Sequence, residues 1–524
     1  MRLSEKSSFG PYRPRLARAI LGASISAALM LAGCSSAPRP APGDVTFVIE
    51  SMPANLDPRV GTDAPSERLD GLLFDSLVQR DAQMNVQPDL AASWEQPDPT
   101  TYVFHLRHDV RFHDGRALTS ADVKFTFDSI LSGAITTSKR GAFDLVREID
   151  APDPYTVIFR MKSISTSFLW DISRPAIGIV PRGSGSDFAQ HPIGTGPFRF
   201  ETAVQDDNVL FARNADYFGG APQISEVRFR IVPDAIVRAL ELRKGTADLE
   251  MSSLSPDMVP VMARESGIAV TEDPGTNYSY VALNFQNPAL AQQKVRQALA
   301  FATDRASIVQ YLLRGEARLA DGPLPPGNWA AAPNLATYPY DPARAEQLLD
   351  AAGFPRRADL GGMRLQLTLK TSTEEESRLL GAVLREQWSK VGVDLELRAL
   401  EFGTFYSDIT RGNFDLCTLR WVGANNDPSI LQYVFASNRM PPYGANRGHY
   451  RNPQLDALLE QARIEPDDAK RRALFIQAQQ IVADDLPYIS LWLNDNICVH
   501  RTRITGIELS PAGNYDFLCN IQAN

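Results

Sequence analysis

His105, His108 and His113 lie close together in the sequence. Imidazoles at such spacing could ligate an ion. Strand alternation, however, sends His105 and His108 to opposite faces, so no shared ion is expected. Gly194-Thr195-Gly196 lacks the Lys-Ser/Thr that completes a phosphate-binding loop and reads as a tight turn before a strand. Neither GxSxG nor HExxH occurs, so nucleophilic and zinc-protease chemistry have no sequence support. Glu374-Glu375-Glu376 opens a predicted helix, where acids suit the positive end of the dipole and face solvent. Cys417, Cys498 and Cys519 carry no CxxC spacing, which argues against zinc. Cys498 and Cys519 either pair as a disulfide, leaving Cys417 free, or all three stay reduced and packed. No catalytic residue, metal or cofactor is expected, and the chain reads as a non-enzyme.

What remains is binding chemistry. Trp421 ends a predicted strand and opens the run Val422-Gly423-Ala424-Asn425-Asn426-Asp427-Pro428. An indole there offers a flat apolar wall and one N–H donor, suited to a ligand of mixed polarity; core packing at the strand end is the competing reading. Asp427-Pro428 reads as the cap and first turn of the next helix.

The N-terminus is a leader rather than part of the fold. Arg2, Lys6, Arg13, Arg15 and Arg18 make it basic, and Ala19 to Leu31 is then uncharged and apolar or small. That stretch fits a signal-peptide core and is too short to span a bilayer. It ends Leu31-Ala32-Gly33-Cys34, which resembles the bacterial lipobox, with Cys34 as the acylated residue. Several acyl chains anchor a soluble domain stably where one would not. Ala37 to Gly43 then reads as a tether. The residues after Cys34 hold 48 basic and 61 acidic side chains, a formal charge of −13. No basic tract stands out, which argues against nucleic acid.

The 524 residues, 44% hydrophobic and 22% charged, exceed what one hydrophobic core organises, so at least two lobes are expected. In the N-terminal half, Val45–Glu50, Tyr102–Leu106, Thr156–Met161, Phe198–Ala203 and Glu226–Ile231 read as strands. Thr119 and Asp122 have capping-box spacing for a helix over Ser120–Leu131. The C-terminal half alternates helix and strand, as expected of an α/β lobe. One helical face carries Val295, Ala298, Leu299, Ala302, Ala306 and Val309, closed near Gly315. Helices follow from Asp341-Pro342, along Leu380 to Val391, from Asn452-Pro453, and along Leu474 to Val482. Strands are expected at Leu365–Leu369, Val393–Leu397 and Phe414–Val422.

Six stretches in order carry a resemblance. They are Asn55-Leu56-Asp57-Pro58; Pro88-Asp89-Leu90-Ala91-Ala92-Ser93-Trp94; Phe104 to Gly115; Leu118 to Val123; Pro192 to Phe198; and Val295 to Arg305. Together the chain resembles the peptide/nickel-type extracellular solute-binding proteins (family 5) of ABC transporters, which include oligopeptide- and dipeptide-binding lipoproteins. The resemblance implies an α/β, two-lobed periplasmic-binding-protein fold of the large type II kind. An extra subdomain, about residues 76–194, interrupts the first lobe (44–284); the second lobe is 285–487, and 488–524 returns to the first. Crossing strands near Tyr280–Asn284 and Tyr488–Trp492 would form the hinge, and closure around the solute is the motion of such binders. The implied contacts are Trp421, Gly423 and Asn425 of the pocket loop, Met52, Pro53 and Ala54 before the opening motif, and Tyr278, with Tyr280 beside it, at the first crossing.

Two positions depart from the dipeptide branch. Ala424 stands where that branch uses an Asp to hold the α-ammonium, and Thr371, beside Lys370, stands near its carboxylate-binding Arg. A buried ammonium without a carboxylate partner is costly. A longer peptide or another small polar or amphipathic solute is therefore expected. Implied partners are an ABC permease and ATPase and, through the lipid, the membrane; the protein is expected outside the cytoplasm as a monomer. A protein presenting its ligand to a membrane receptor is the alternative.

Overall fold

The computed structural model describes residues 43–524 except 62, 82–84, 175–176, 423–426 and 442–443. Cys34, the leader and most of the tether lie outside the described residues, as do Gly423, Ala424 and Asn425. No helix among the described residues is long and apolar enough to cross a membrane.

Two long strands organise the molecule. Ile268–Leu283 and Tyr488–Arg501 run antiparallel from Ile268 opposite Arg501 to Ala282 opposite Tyr488. They sit mid-way in an 11-stranded sheet. At one end Tyr488–Arg501 pairs with Leu249–Met251, which leads through Asp44–Ile49 to Glu226–Ile231, Asn208–Arg213 and Phe198–Val204. At the other end Ile268–Leu283 pairs with Leu416–Trp421, which leads to the parallel strands Leu365–Ser372 and Val393–Leu400. Each long strand thus serves the first lobe with one half and the second with the other.

The handover lies before the expected segment on the first long strand and after it on the second. Tyr280–Leu283 and Tyr488–Trp492 are already inside the second lobe's sheet. The register breaks between Asp273 and Asn277, and there Gly275 brings the chains together: a Cβ on it would meet the Asn494 carbonyl oxygen at 2.2 Å. Only glycine permits that approach.

Hydrophobic clusters follow the same division. One joins Phe47, Leu69, Phe198, Phe229, Leu249 and Phe517. A second, built on the four-stranded sheet of Ala91–Asp98, Thr101–Leu106, Thr156–Met161 and Val146–Asp153, holds Phe104, Phe127, Phe159 and Phe168. Two more fill the region after residue 278, around Trp388 and Trp492 and around Tyr280, Phe435 and Tyr488.

Most elements fall where caps and periodicity put them. Ser120–Leu131 is helical, and the Asp122 carboxylate accepts from the Thr119 backbone N–H at 2.9 Å and its hydroxyl at 2.7 Å. Asp341 and Asn452 cap Pro342–Ala351 and Pro453–Ile464. One expected helix is broken. Gln293–Phe301 stops, and Arg305–Ser307 begins afresh before a π-turn over Ile308–Leu312. Asp304 causes the restart, because its carboxylate takes the Ser307 N–H and hydroxyl at 3.0 and 2.7 Å. The three thiols are free.

Candidate ligand site

Strand alternation at the crossing sorts the side chains into two sets. Tyr278 and Tyr280 face the second lobe's core. They are 0% and 1% exposed, and the Tyr278 hydroxyl is 2.6 Å from Ser490 Oγ. Tyr280 stacks on Tyr488 at 4.0 Å and on Trp421 at 6.3 Å, and Trp421 meets Tyr433 edge-on. The Arg447 guanidinium lies 5.5 Å from the Trp421 ring. Trp421 is half-buried, while the next residue, Val422, is exposed. Tyr278 and Trp421 are register partners, so the fold joins these two expected site residues. Tyr278 itself lies behind the wall, bordering only a pocket of about 20 Å³ inside the second lobe.

The opposite set opens on a different space. Asn277, Asn494, Asp495 and Ile497 of the crossing strands, with Arg420 beside Trp421, line a cavity of about 70 Å³. Glu250, Ser252, Leu254, Pro256 and Val259 close it from the first lobe; Leu313, Glu316 and Glu376 close it from the second. That volume holds a few waters or one terminal group of a solute. A larger solute enters only if the lobes part.

The cavity is acidic. Glu250 is 0% exposed; its Oε2 accepts from the Ser253 N–H at 3.0 Å and hydroxyl at 2.6 Å, but its Oε1 has no hydrogen-bond partner. Burial pushes its pKa up to about 7. Asn277, 9% exposed, leaves Oδ1 without a partner. Glu316 is pushed up to about 8, first by burial and then by Glu272, Glu250, Glu376 and Asp257. Arg420 approaches Glu376 only to 3.9 Å. The other nearby cations are engaged: Arg318 with Asp495 at 2.7 Å and Arg314 with Asp257 at 2.5 Å.

The remaining expected residues sit elsewhere. Met52 is half-buried against the first lobe's core, Pro53 is buried and Ala54 is exposed; none of the three lines this cavity. Lys370 is committed to Asp408 at 2.7 Å and the Asn413 carbonyl at 2.5 Å. Thr371 is buried, its hydroxyl turned to the Ser372 carbonyl. Neither is free to take a carboxylate. Asp427 accepts from the Ser429 N–H at 2.6 Å, a turn just ahead of Ile430–Phe435. Glu376, expected to face solvent, instead helps wall the cavity. Sequence reasoning missed Glu250, Asn277, Glu316 and Arg420 as well. The usable signal was parity: Asn277 and Arg420 each adjoin a flagged aromatic and therefore point the other way.

The three histidines do separate chemistry. His105 faces a glutamate at 3.5 Å and His108 stacks on Tyr155 at 3.8 Å. His113 Nε2 lies 3.1 Å from the Gly196 carbonyl, while its Nδ1 accepts from the Gly194 N–H at 3.2 Å. Burial holds its pKa down at about 4. Both glycines press on the chain at Leu72–Leu73, where a Cβ on either would come within 2.6 Å of a backbone atom. Among the described residues, no group of three or more His, Cys, Asp or Glu side chains could hold a metal ion.

A cavity closed from two lobes at crossing strands is the setting of a solute binder. The model of "Bacterial extracellular solute-binding proteins, family 5 Middle" matches residues 85–441. The chain belongs to this family. The dipeptide-binding protein of Escherichia coli (strain K12) is 27% identical over 504 residues, covering 90% of this chain and 93% of that protein. Heme-binding protein A of Haemophilus influenzae is 27% identical over 473 residues, 85% of each chain. Among solved structures, NikA from Brucella suis in complex with Fe(III)-EDTA superposes with a TM-score of 0.85 at 24% identity, covering 92% of this chain and all of that one. The family 5 assignment makes the chain an extracytoplasmic solute-binding protein, not an enzyme, with the two-lobed α/β fold described above.

Proposed function

We propose that this protein captures a peptide or another small polar or amphipathic solute between its lobes and delivers it to an ABC permease and ATPase. The observation that carries this reading is the cavity at the crossing strands, walled by Glu250 and Ser252 on one side and Glu316 and Glu376 on the other. Parting the two walls admits a solute, and closing them buries it. Trp421 and Met52, Pro53 and Ala54 of the first lobe are taken as further contacts for the solute, with Gly423 and Asn425, which lie outside the described residues, proposed from the sequence alone; Tyr278 backs the wall. The lobes are taken as 44–284, with a subdomain about 76–194, and 285–487, with 488–524 returning; separate hydrophobic clusters support the division into these parts, while Tyr278 to Leu283 and Tyr488 to Leu493 pack with the second lobe. Cys34 is the lipid-anchored residue, and the protein works as a monomer held at the membrane.

The relatives' printed ligands, a dipeptide and heme, differ widely, so the family leaves the solute open. Occupied Lys370 and buried Thr371 count against a free dipeptide held by its carboxylate at that strand. Native mass spectrometry of the mature protein purified without denaturant tests the reading. We expect a one-to-one small-molecule adduct that denaturation releases. A bare mass, together with no saturable binding across peptide and metabolite panels, contradicts it.

A further inference from the structure

We propose that the crossing-strand cavity selects its solute through a cationic group, an ammonium or guanidinium, received by Glu250 Oε1, Asn277 Oδ1 and Glu316. This inference rests on the solute-binding reading and adds the substrate class.

Two acceptor atoms carry it. Glu250 and Asn277 line the same cavity, and Glu250 Oε1 and Asn277 Oδ1 are buried with no hydrogen-bond partner. An amide oxygen and an ionised carboxylate oxygen can only accept, so above the Glu250 pKa of about 7 both missing partners are donors. Glu250 belongs to the first lobe, Asn277 to the crossing strand and Glu316 to the second lobe, so one multi-donor group reaches all three only when the lobes are closed. Leaving either acceptor unmet costs the desolvation of a buried polar atom, which makes the empty closed form unfavourable and a donor-bearing solute the natural partner.

The sign of the charge follows from the surroundings. Glu316 has four acids around it, Glu272, Glu250, Glu376 and Asp257, and none of its leading influences is a cation. Glu272 is itself raised, by burial and then by Asp495 and Asp273. Arg238 is the basic group nearest in effect to Glu250; its Nη atoms are held by the Val232, Pro233 and Ser253 carbonyls, and it makes no hydrogen bond to the Glu250 carboxylate. Arg420 faces Glu376 loosely. A bound cation supplies the positive charge that this chain does not. An ammonium or guanidinium also brings three to five donors in one compact group, a size suited to about 70 Å³.

The test is titration calorimetry of the solute-stripped protein against matched probes. These are the N-acetylated tripeptides of sequence Ala-Arg-Ala, Ala-Lys-Ala, Ala-citrulline-Ala and Ala-Glu-Ala, whose blocked N-terminus carries no ammonium, together with agmatine, and they are read beside the solute that the untreated protein retains. Citrulline keeps the shape of arginine without its charge. We expect a cationic probe to bind at least tenfold more tightly than its neutral counterpart, and a retained solute to carry an amine or guanidine. Glu316→Gln should shrink the tenfold preference to less than threefold; Glu250→Gln is the second variant, accepted if its thermal midpoint stays near wild type. Equal or tighter binding of Ala-citrulline-Ala or Ala-Glu-Ala overturns the inference. So does a retained solute without a cationic group, which leaves the solute-binding reading intact. Failure of every probe with no retained solute removes both.

Discussion

Glu250 and Glu316 face each other's charge across a cavity that gives them little in return, and this has a measurable signature without any solute. Their folded-state pKa values, about 7 and about 8, lie above the ordinary 4.5 of a glutamate. A raised carboxyl favours the folded state fully below its unfolded value, and that contribution is lost as pH climbs through the folded value. The window is therefore about 4.5 to 7 for Glu250 and 4.5 to 8 for Glu316. The melting temperature of stripped protein should fall between pH 5 and pH 8, and Glu316→Gln should fall less; parallel curves would contradict the assignment. Trp421→Ala should weaken solute binding about tenfold while the protein stays folded, since a buried aromatic at a binding surface carries a large share of affinity. An unchanged Kd would remove Trp421 from the site. The sequence pointed to Trp421 because the run it opens, an aromatic followed by small and polar residues, resembles the family's pocket loop. It did not point to Glu250 or Asn277. Leu249-Glu250-Met251 reads as an ordinary strand, and whether Asn277 or Tyr278 faces the cavity depends on a register that only the pairing with Leu416–Trp421 sets.

Gly275 shows how one element makes the hinge. Its missing side chain lets Ile268–Leu283 bulge against the Asn494 carbonyl. Gly275→Ala should cost ~2 kcal/mol or more by overpacking, read as a lower urea midpoint, and should disturb solute binding more than an equally destabilising change in the Ala91–Asp98 sheet. An effect on stability alone would make Gly275 a packing residue only. Elements bounded by strong local signals were readable: Asp341-Pro342, Asn452-Pro453 and Thr119 with Asp122 each started a helix as expected. The break after Phe301 was not, because apolar spacing continued across it. The cause is tertiary: the Gln387 side chain accepts from the Asp304 N–H at 2.9 Å, and the Trp388 indole donates to Thr303 Oγ1 at 3.0 Å. The crossing point was misplaced for a related reason. Tyr278 to Leu283 and Tyr488 to Leu493 look like any buried strands, and nothing local marks where one sheet half passes to the other.

Across the whole molecule, the two lobes touch beyond the cavity. The Thr166 hydroxyl donates to the Arg463 carbonyl at 3.2 Å, and the Arg463 guanidinium reaches the Ile164 carbonyl at 3.4 Å. Arg314 and Asp257 bridge the other side. Such contacts favour closure without touching a buried solute. Arg463→Ala should therefore raise the dissociation rate severalfold with a smaller change in association, measured by surface plasmon resonance; an unaltered dissociation rate would show the contact to be passive. The order of the lobes was readable from the six ordered stretches, whereas these inter-lobe contacts join residues some 300 positions apart and left no local trace. The central claim is that the solute is held between the lobes at the crossing strands. Hydrogen exchange on stripped protein, with and without the solute recovered from it, tests that claim most directly. The account predicts new protection in 250–256, 276–278, 313–317, 420–421 and 494–497 together, drawn from both lobes. Protection confined to one lobe, or centred on the Tyr278–Arg305–Ser490 pocket, would contradict it.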